Sequence, residues 1–254
     1  MKMNSSESAH EDWLKESKSG PTKYHTAQYA KPYRSTVAFH NWLKDKDLFR
    51  TGAKIADIPS GMGAPLSYFA TMEPQCDFTG LDFDPVLVRE SADHFAGISN
   101  ACIEQGDMYD LSQYACRSFD GVMSLATLSW EGNGFQPLLE SFVKINPGWI
   151  AVSSLFYDGP VNATIHIQDY SKPVEGKPYK DAFYNCYSLS LVEQFLVDLG
   201  YSLESIPFEI DCDLEPPADK GMATFTEMLK DGRRIQISGP LLMNWHFLLA
   251  RRMK

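Results

Sequence analysis

Residues 55–66, I-A-D-I-P-S-G-M-G-A-P-L, hold the spacing in this chain best suited to gripping a small polar ligand. An acid, Asp57, ends an apolar run. A tight turn follows, with Gly61 and Gly63 two apart, and a helical pattern begins near Ala64. Glycines there let the backbone approach a ligand closely, with N–H groups gathered at a helix N-terminus. Pro59 stands where such loops place their first glycine. It removes one donor and stiffens the turn without filling the ligand's space. Pro65 suits the first helical turn. Leu66 replaces the third glycine of the dinucleotide fingerprint G-x-G-x-x-G, so a pyrophosphate is poorly served. A second acid, Asp82 in "GLDFDP", comes 19 residues after Gly63, where a ribose-binding carboxylate belongs. A third, Asp107 in "IEQGDMYDLS", follows another apolar run beside Met108. Each acid also has a plain structural reading. Asp57 would hold loop N–H groups, Asp82 and Asp84 would cap the helix opening at Pro85, and Asp107 would be a turn residue.

Taken in order, these motifs resemble the class I S-adenosylmethionine-dependent methyltransferases. "DIPSGMG" matches that family's acid and G-x-G-x-G loop except at Pro59. The resemblance implies S-adenosyl-L-methionine as cofactor, held by Asp57, Pro59, Ser60, Gly61 and Gly63. It implies Asp82, followed by Phe83, on the ribose hydroxyls, and Asp107 with Met108 at the adenine. Ser124 and Leu125, in the fourth apolar run "FDGVMSLATLSW", would lie beside the cofactor. In relatives an N-terminal helical segment covers the cofactor, and an arginine or tyrosine there meets the methionine carboxylate; Tyr33 and Arg34 fill that place here. The match covers roughly residues 50–155 by motif and the remainder by architecture.

Methyl transfer needs donor and acceptor held in line and shielded from water. A base is required only for an acceptor with a poorly acidic proton. His166 is the first choice, because imidazole titrates near neutral pH; a strand-surface histidine in "TIHIQ" is the competing reading. His25 is second and Glu131, just after the fourth run, third. His246 alternates along "NWHFLLA" and reads as structural. Tyr24, Tyr29, Trp130, Tyr157 and Tyr170 offer flat apolar walls with polar tips for a small organic acceptor, such as a sugar derivative or natural-product intermediate. A net charge of −10 argues against a nucleic-acid partner. No Cys/His or carboxylate cluster calls for a metal. The five cysteines form no CxxC and read as reduced thiols.

These residues need a scaffold that brings strand ends together. From Gly52 onward apolar runs alternate with helical patterns, as in an α/β, Rossmann-like, doubly wound and mostly parallel seven-stranded sheet. Residues 1–47 read as an N-terminal helical cap and 48–254 as the methyltransferase-like domain. Within it, 156–187 reads as a long irregular lid or substrate insertion. Residues 222–238 read as a late β-hairpin turning at Asp231-Gly232, whose edge a second subunit could cover in a homodimer. No signal peptide or membrane span is apparent, so a cytoplasmic location is expected. Two other readings share this architecture: a nicotinamide-dependent oxidoreductase, and a non-catalytic nucleotide-binding protein.

Overall fold

The computed structural model describes residues 11–15, 23–117, 119–216 and 222–253; the side chains of residues 23–25, 116 and 117 lie outside this description. A helical turn at 11–15 precedes α1 (Lys23–Ala30) and α2 (Arg34–Asp45). Phe39, Trp42 and Leu43 form the buried stripe of α2, at the spacing of one helical face. Then come β1 (Lys54–Asp57), α3 (Ala64–Met72), β2 (Asp77–Asp82), α4 (Pro85–Phe95), β3 (Ala101–Gln105), β4 (Gly121–Leu125), α5 (Phe135–Lys144) and β5 (Trp149–Tyr157). A hairpin of β6 (Ala163–Asp169) and β7 (Lys180–Ser188) leads into α6 (Leu189–Asp198) and β8 (Tyr201–Phe208). The chain closes with β9 (Thr224–Met228), β10 (Arg234–Ser238), β11 (Leu241–Leu242) and β12 (Trp245–Arg252).

The main sheet runs β3-β2-β1-β4-β5-β12-β8. Strands β1 to β5 pair in parallel, and β12 lies antiparallel between β5 and β8. The chain winds outward from β1 through β2 to β3, then crosses back to β4. The crevice between β1 and β4 is therefore a topological switch point, where open α/β sheets take ligands. Helices cover both faces. Ala56, Val122 and Ile150 pack with Leu138 and Phe142 of α5 and Val192 of α6 on one face. Ile55, Phe78 and Phe247 pack with Phe39 of α2 and Phe69 of α3 on the other. Pro207 sits in β8, an edge strand, where a missing ladder donor is tolerated.

Residues 156–187 are not irregular. β6 and β7 pair antiparallel from Ala163↔Cys186 to Asp169↔Lys180, and the end of β7 joins β5 in parallel at Phe156↔Tyr187. All nine residues of β7 are buried. A strand covered on both faces shows no polar–apolar alternation, so its sequence lacks the usual strand signature. β9, β10 and β11 form a separate antiparallel sheet. A satellite apolar cluster ties it to the hairpin: Leu155, Tyr184 and Cys186 are buried, with Trp130, Met222 and Trp245 packed around them. Among the described residues, no helix is long and apolar enough to cross a membrane.

Candidate functional site

The loop after β1 hangs between its two neighbours. Ile58 N–H donates to the Met123 carbonyl of β4 at 2.9 Å, and Ser60 N–H to the Leu81 carbonyl of β2 at 2.9 Å. Pro59 falls between these two donors, so its missing N–H costs the loop no hydrogen bond; the Ile58–Pro59 bond is cis. Gly61 and Gly63 both adopt positive φ, +57° and +77°. A side chain at Gly63 would come within 2.3 Å of Ile103 Cδ1, whereas one at Gly61 would meet nothing within 4 Å. Gly63 thus serves packing of loop against sheet, and Gly61 faces open space. Beside it, the buried Ser60 hydroxyl has no hydrogen-bond partner.

Two buried acids flank this loop. Asp57 is 2% exposed, and burial, aided by the charge of Asp82, pushes its carboxyl up to about 8. Asp82 Oδ2 accepts from Gly61 N at 2.7 Å and Oδ1 from Asp84 N at 3.0 Å. Those two donors favour the carboxylate, but burial outweighs them and lifts Asp82 to about 6. Asp84 caps α4 by accepting from Val86 N at 2.8 Å. Asp107 is exposed, and its Oδ1 accepts from Tyr109 N at 2.9 Å, the geometry of a turn residue. The Met108 carbonyl accepts from Ser141 of α5, fixing that turn to the helix layer. Phe83 follows Asp82 half-buried, and its carbonyl accepts from Gln105 at 3.2 Å. On β4, Ser124 is fully buried and Leu125 half-buried.

The N-terminal helices reach this loop by an unforeseen residue. Tyr29, expected at the acceptor, donates its hydroxyl to the Met62 carbonyl and stacks on His94 with ring centroids 3.7 Å apart. Burial pushes its hydroxyl up to about 12. Arg34 instead pairs with Asp211 at 3.1 Å on the surface, and Tyr33 is exposed at the start of α2. Tyr24 and His25 belong to α1, but their side chains lie outside the described residues.

The acceptor candidates separate into three groups. His166 is exposed on β6, with Nε2 3.0 Å from Asp181 Oδ1 and its ring stacked on Phe183. Asp181 and the fully buried Asp12 share Lys177, at 2.8 and 2.7 Å, and Asp12 also accepts from Asp181 N. Lys180 lies 3.1 Å over the ring of Trp13. His166 therefore belongs to an ionic clasp that docks the 11–15 turn on the hairpin, and the structure does not bring it to the buried acids. Tyr157 and Tyr170 are 52% and 64% exposed. Glu131 and Trp130 are half-buried. The Glu131 carbonyl accepts from Asn185 of β7 at 2.5 Å, while its carboxylate, with burial, holds the Tyr109 hydroxyl well above the tyrosine range. Trp130 meets Tyr184 edge-on at 5.1 Å.

Sequence reasoning passed over one group. His246 and Ser154 face each other across β12 and β5. His246 Nδ1, Ser154 Oγ, Ser124 Oγ and Asn185 Oδ1 are all buried atoms with no hydrogen-bond partner. Alternation in "NWHFLLA" places His246 on the face opposite Phe247. That signal was present, but it gives no hint that three other strands leave polar atoms unpaired nearby.

No protein-family model matches the chain. A 55-residue stretch is 38% identical to ribosomal RNA small subunit methyltransferase H of Coprothermobacter proteolyticus, covering 22% of this chain and 18% of that protein. The chain thus aligns with less than a fifth of the curated relative it matches. Solved structures align over most of its length. The YcgJ protein of Bacillus subtilis superposes with a TM-score of 0.58 at 12% identity, over 85% of this chain and 99% of that one. The 1,6-didemethyltoxoflavin-N1-methyltransferase of Burkholderia thailandensis, solved with 1,6-didemethyltoxoflavin and S-adenosylhomocysteine, gives 0.57 at 13%, over 97% and 91%. The magnesium protoporphyrin IX methyltransferase of Synechocystis PCC 6803, solved with S-adenosylmethionine, gives 0.52 at 12%, over 97% and 92%. The fold is the Rossmann-like fold of these methyltransferases.

Proposed function

We propose that this chain is an S-adenosylmethionine-dependent methyltransferase acting on a small organic acceptor. One observation carries the reading: two buried acids, Asp57 and Asp82, flank a glycine turn with an open side at the switch point of the sheet. Burial raises both carboxyls, and among the described residues no cation pairs with either. The unpaired Ser60 hydroxyl and the space beside Gly61 point the same way. A ligand bringing an ammonium and a diol fits that deficit. Asp57 would face the ammonium. Asp82 keeps lone pairs for two ribose hydroxyls while accepting its two backbone N–H groups. Phe83, Asp107 and Met108 would border the base, and Leu125 the middle of the ligand.

When bound, S-adenosylmethionine supplies a methyl group made electrophilic by its sulfonium. The residues of this chain contribute placement and exclusion of water. Tyr29 tethers α1 to the loop, and the 11–15 turn is clasped on the hairpin with Trp13 edge-on to Trp130 at 6.4 Å. Trp130, half-buried and edge-on to Tyr184, would offer an aromatic face to a flat acceptor. The acidic balance of the chain and the small-molecule ligands of two structural neighbours support that acceptor class. Of the described base candidates named from sequence, Glu131 is half-buried and His166 exposed.

Calorimetry with S-adenosylhomocysteine, with NAD as the control, tests the reading. A dissociation constant of about 1 μM is expected for the former. Asp82→Ala should weaken it by about 1.5–3 kcal/mol through loss of charge-assisted hydrogen bonds. Binding of NAD without S-adenosylhomocysteine would assign the crevice to a dinucleotide.

A further inference from the structure

Three adjacent strands end in unpaired polar side chains on one face of the sheet. Ser154 of β5 stands directly opposite His246 of β12. Ser124 of β4 lies opposite Val152, two residues before Ser154 and therefore on the same face. That face carries the core cluster of Val122, Val152, Phe156 and Tyr187. Asn185 of β7 precedes Tyr187 by two and points the same way, with its amide nitrogen given to the Glu131 carbonyl and its oxygen unpaired. Ser124, Ser154 and Asn185 are at most 1% exposed. His246 is half-buried at the end of β12 that meets the carboxyl ends of the parallel strands, whereas the serines are fully buried. Directly opposed residues keep their Cβ atoms about 4.5–5.5 Å apart, yet Ser154 and His246 make no hydrogen bond to each other. Buried polar groups left without partners are costly, and four on one face of the sheet outline a polar recess that the described side chains leave unsatisfied.

We propose that this recess receives the nucleophilic O–H or N–H group of the acceptor, and that His246 Nδ1 takes its proton. The assignment rests on the methyltransferase reading above. Asn185 Oδ1 accepts only, and the two hydroxyls both accept and donate. The set therefore selects a group with hydrogen to give, and a fully methylated analogue leaves it unsatisfied. In the transfer, the heteroatom's lone pair forms the bond to the methyl carbon and the carbon–sulfur electron pair stays on sulfur. The proton shed by the heteroatom passes to His246. Burial holds His246 below the ordinary histidine value, against the opposing pull of the Asp158 carboxylate and the Asn244 carbonyl, so the ring is neutral and able to accept.

The test uses the full chain saturated with S-adenosylhomocysteine and two probe pairs: catechol against 1,2-dimethoxybenzene, and uracil against 1,3-dimethyluracil. Binding is followed by ligand-observed NMR and by the ¹⁵N resonances of His246. At least one protic member should bind about tenfold or more tightly than its methylated twin and shift the Nδ1 resonance. Ser154→Ala and His246→Ala should each erase that preference while affinity for S-adenosylhomocysteine stays within about twofold. Equal binding of both twins, no saturable binding of any probe, or a preference that survives both substitutions overturns the assignment. Failure of wild-type protein to bind S-adenosylhomocysteine overturns instead the reading on which it rests.

Discussion

The two halves of the proposed site, one for the cofactor and one for the acceptor, are built differently. The cofactor half is assembled mostly through backbone atoms at strand ends. Ser60 N bonds to β2, Ile58 N to β4, and Gly61 N to Asp82 only 21 residues on. The acceptor half is assembled from side chains far apart in the chain. Asp12 meets Lys177 across 165 residues, Asn185 meets Glu131 across 54, and His246 faces Ser154. The first half needs glycine, small turns and acids at strand ends, which are local requirements that many sequences satisfy alike. The second has no such common solution, and that freedom is where one methyltransferase fold differs from another in what it methylates.

The difference can be broken from either side. The largest effect is expected at Gly63→Ala. The new Cβ would stand 2.3 Å from Ile103 Cδ1 at a φ of +77°, so stability should fall by about 2–4 kcal/mol, read by denaturant unfolding. Next, Asp12→Ala removes a fully buried acid from Lys177 and the Asp181 amide. A loss of about 2–3 kcal/mol is expected, with hydrogen exchange rising in β6 and β7 and S-adenosylhomocysteine affinity unchanged within about twofold. Were that affinity to collapse as well, the halves would be one cooperative unit.

A pH dependence isolates the cofactor half. Asp57 is lifted from 3.8 to about 8 and Asp82 from 3.8 to about 6, so the ligand-free folded protein holds more protons than the unfolded chain between those values. Stability from this pair is therefore greatest below about pH 4 and falls as pH rises toward about 8. Asp57→Asn should flatten that slope and gain about 2 kcal/mol at pH 8.5, seen as a higher Tm. An unchanged slope would place the titration elsewhere. The smallest effect is Tyr29→Phe, which deletes one hydrogen bond to the glycine loop and should cost about 0.5–1.5 kcal/mol of S-adenosylhomocysteine affinity.

The legible part of the molecule matches this division. The alternation from Gly52 onward announced the parallel sheet, the cap at Asp84 was foreseen, and the late hairpin turns around Asp231-Gly232 as its dipeptide indicated. The hairpin of β6 and β7 was missed because a strand buried at every position has no alternating pattern to display. Tyr29 bonds the glycine loop, a contact the sequence does not show, since an aromatic side chain carries no sign of which carbonyl it will reach. Arg34 was expected at a carboxylate and pairs with Asp211, a residue 177 positions away.

What this sequence determined alone is the layered architecture and the glycine turn with its flanking acids, the proposed cofactor end. Hydrophobic period, glycine conformation and helix capping act over a few residues, so each is written where it operates. What tertiary structure decided is the acceptor end: which polar atoms pair and which stay unpaired. Ser124, Ser154, Asn185 and His246 look ordinary in their own strands. Only pairing of β5 with β12, and the seating of β7 over the sheet's end, brings their unsatisfied atoms onto one face, because hydrogen-bond satisfaction belongs to the whole neighbourhood of an atom.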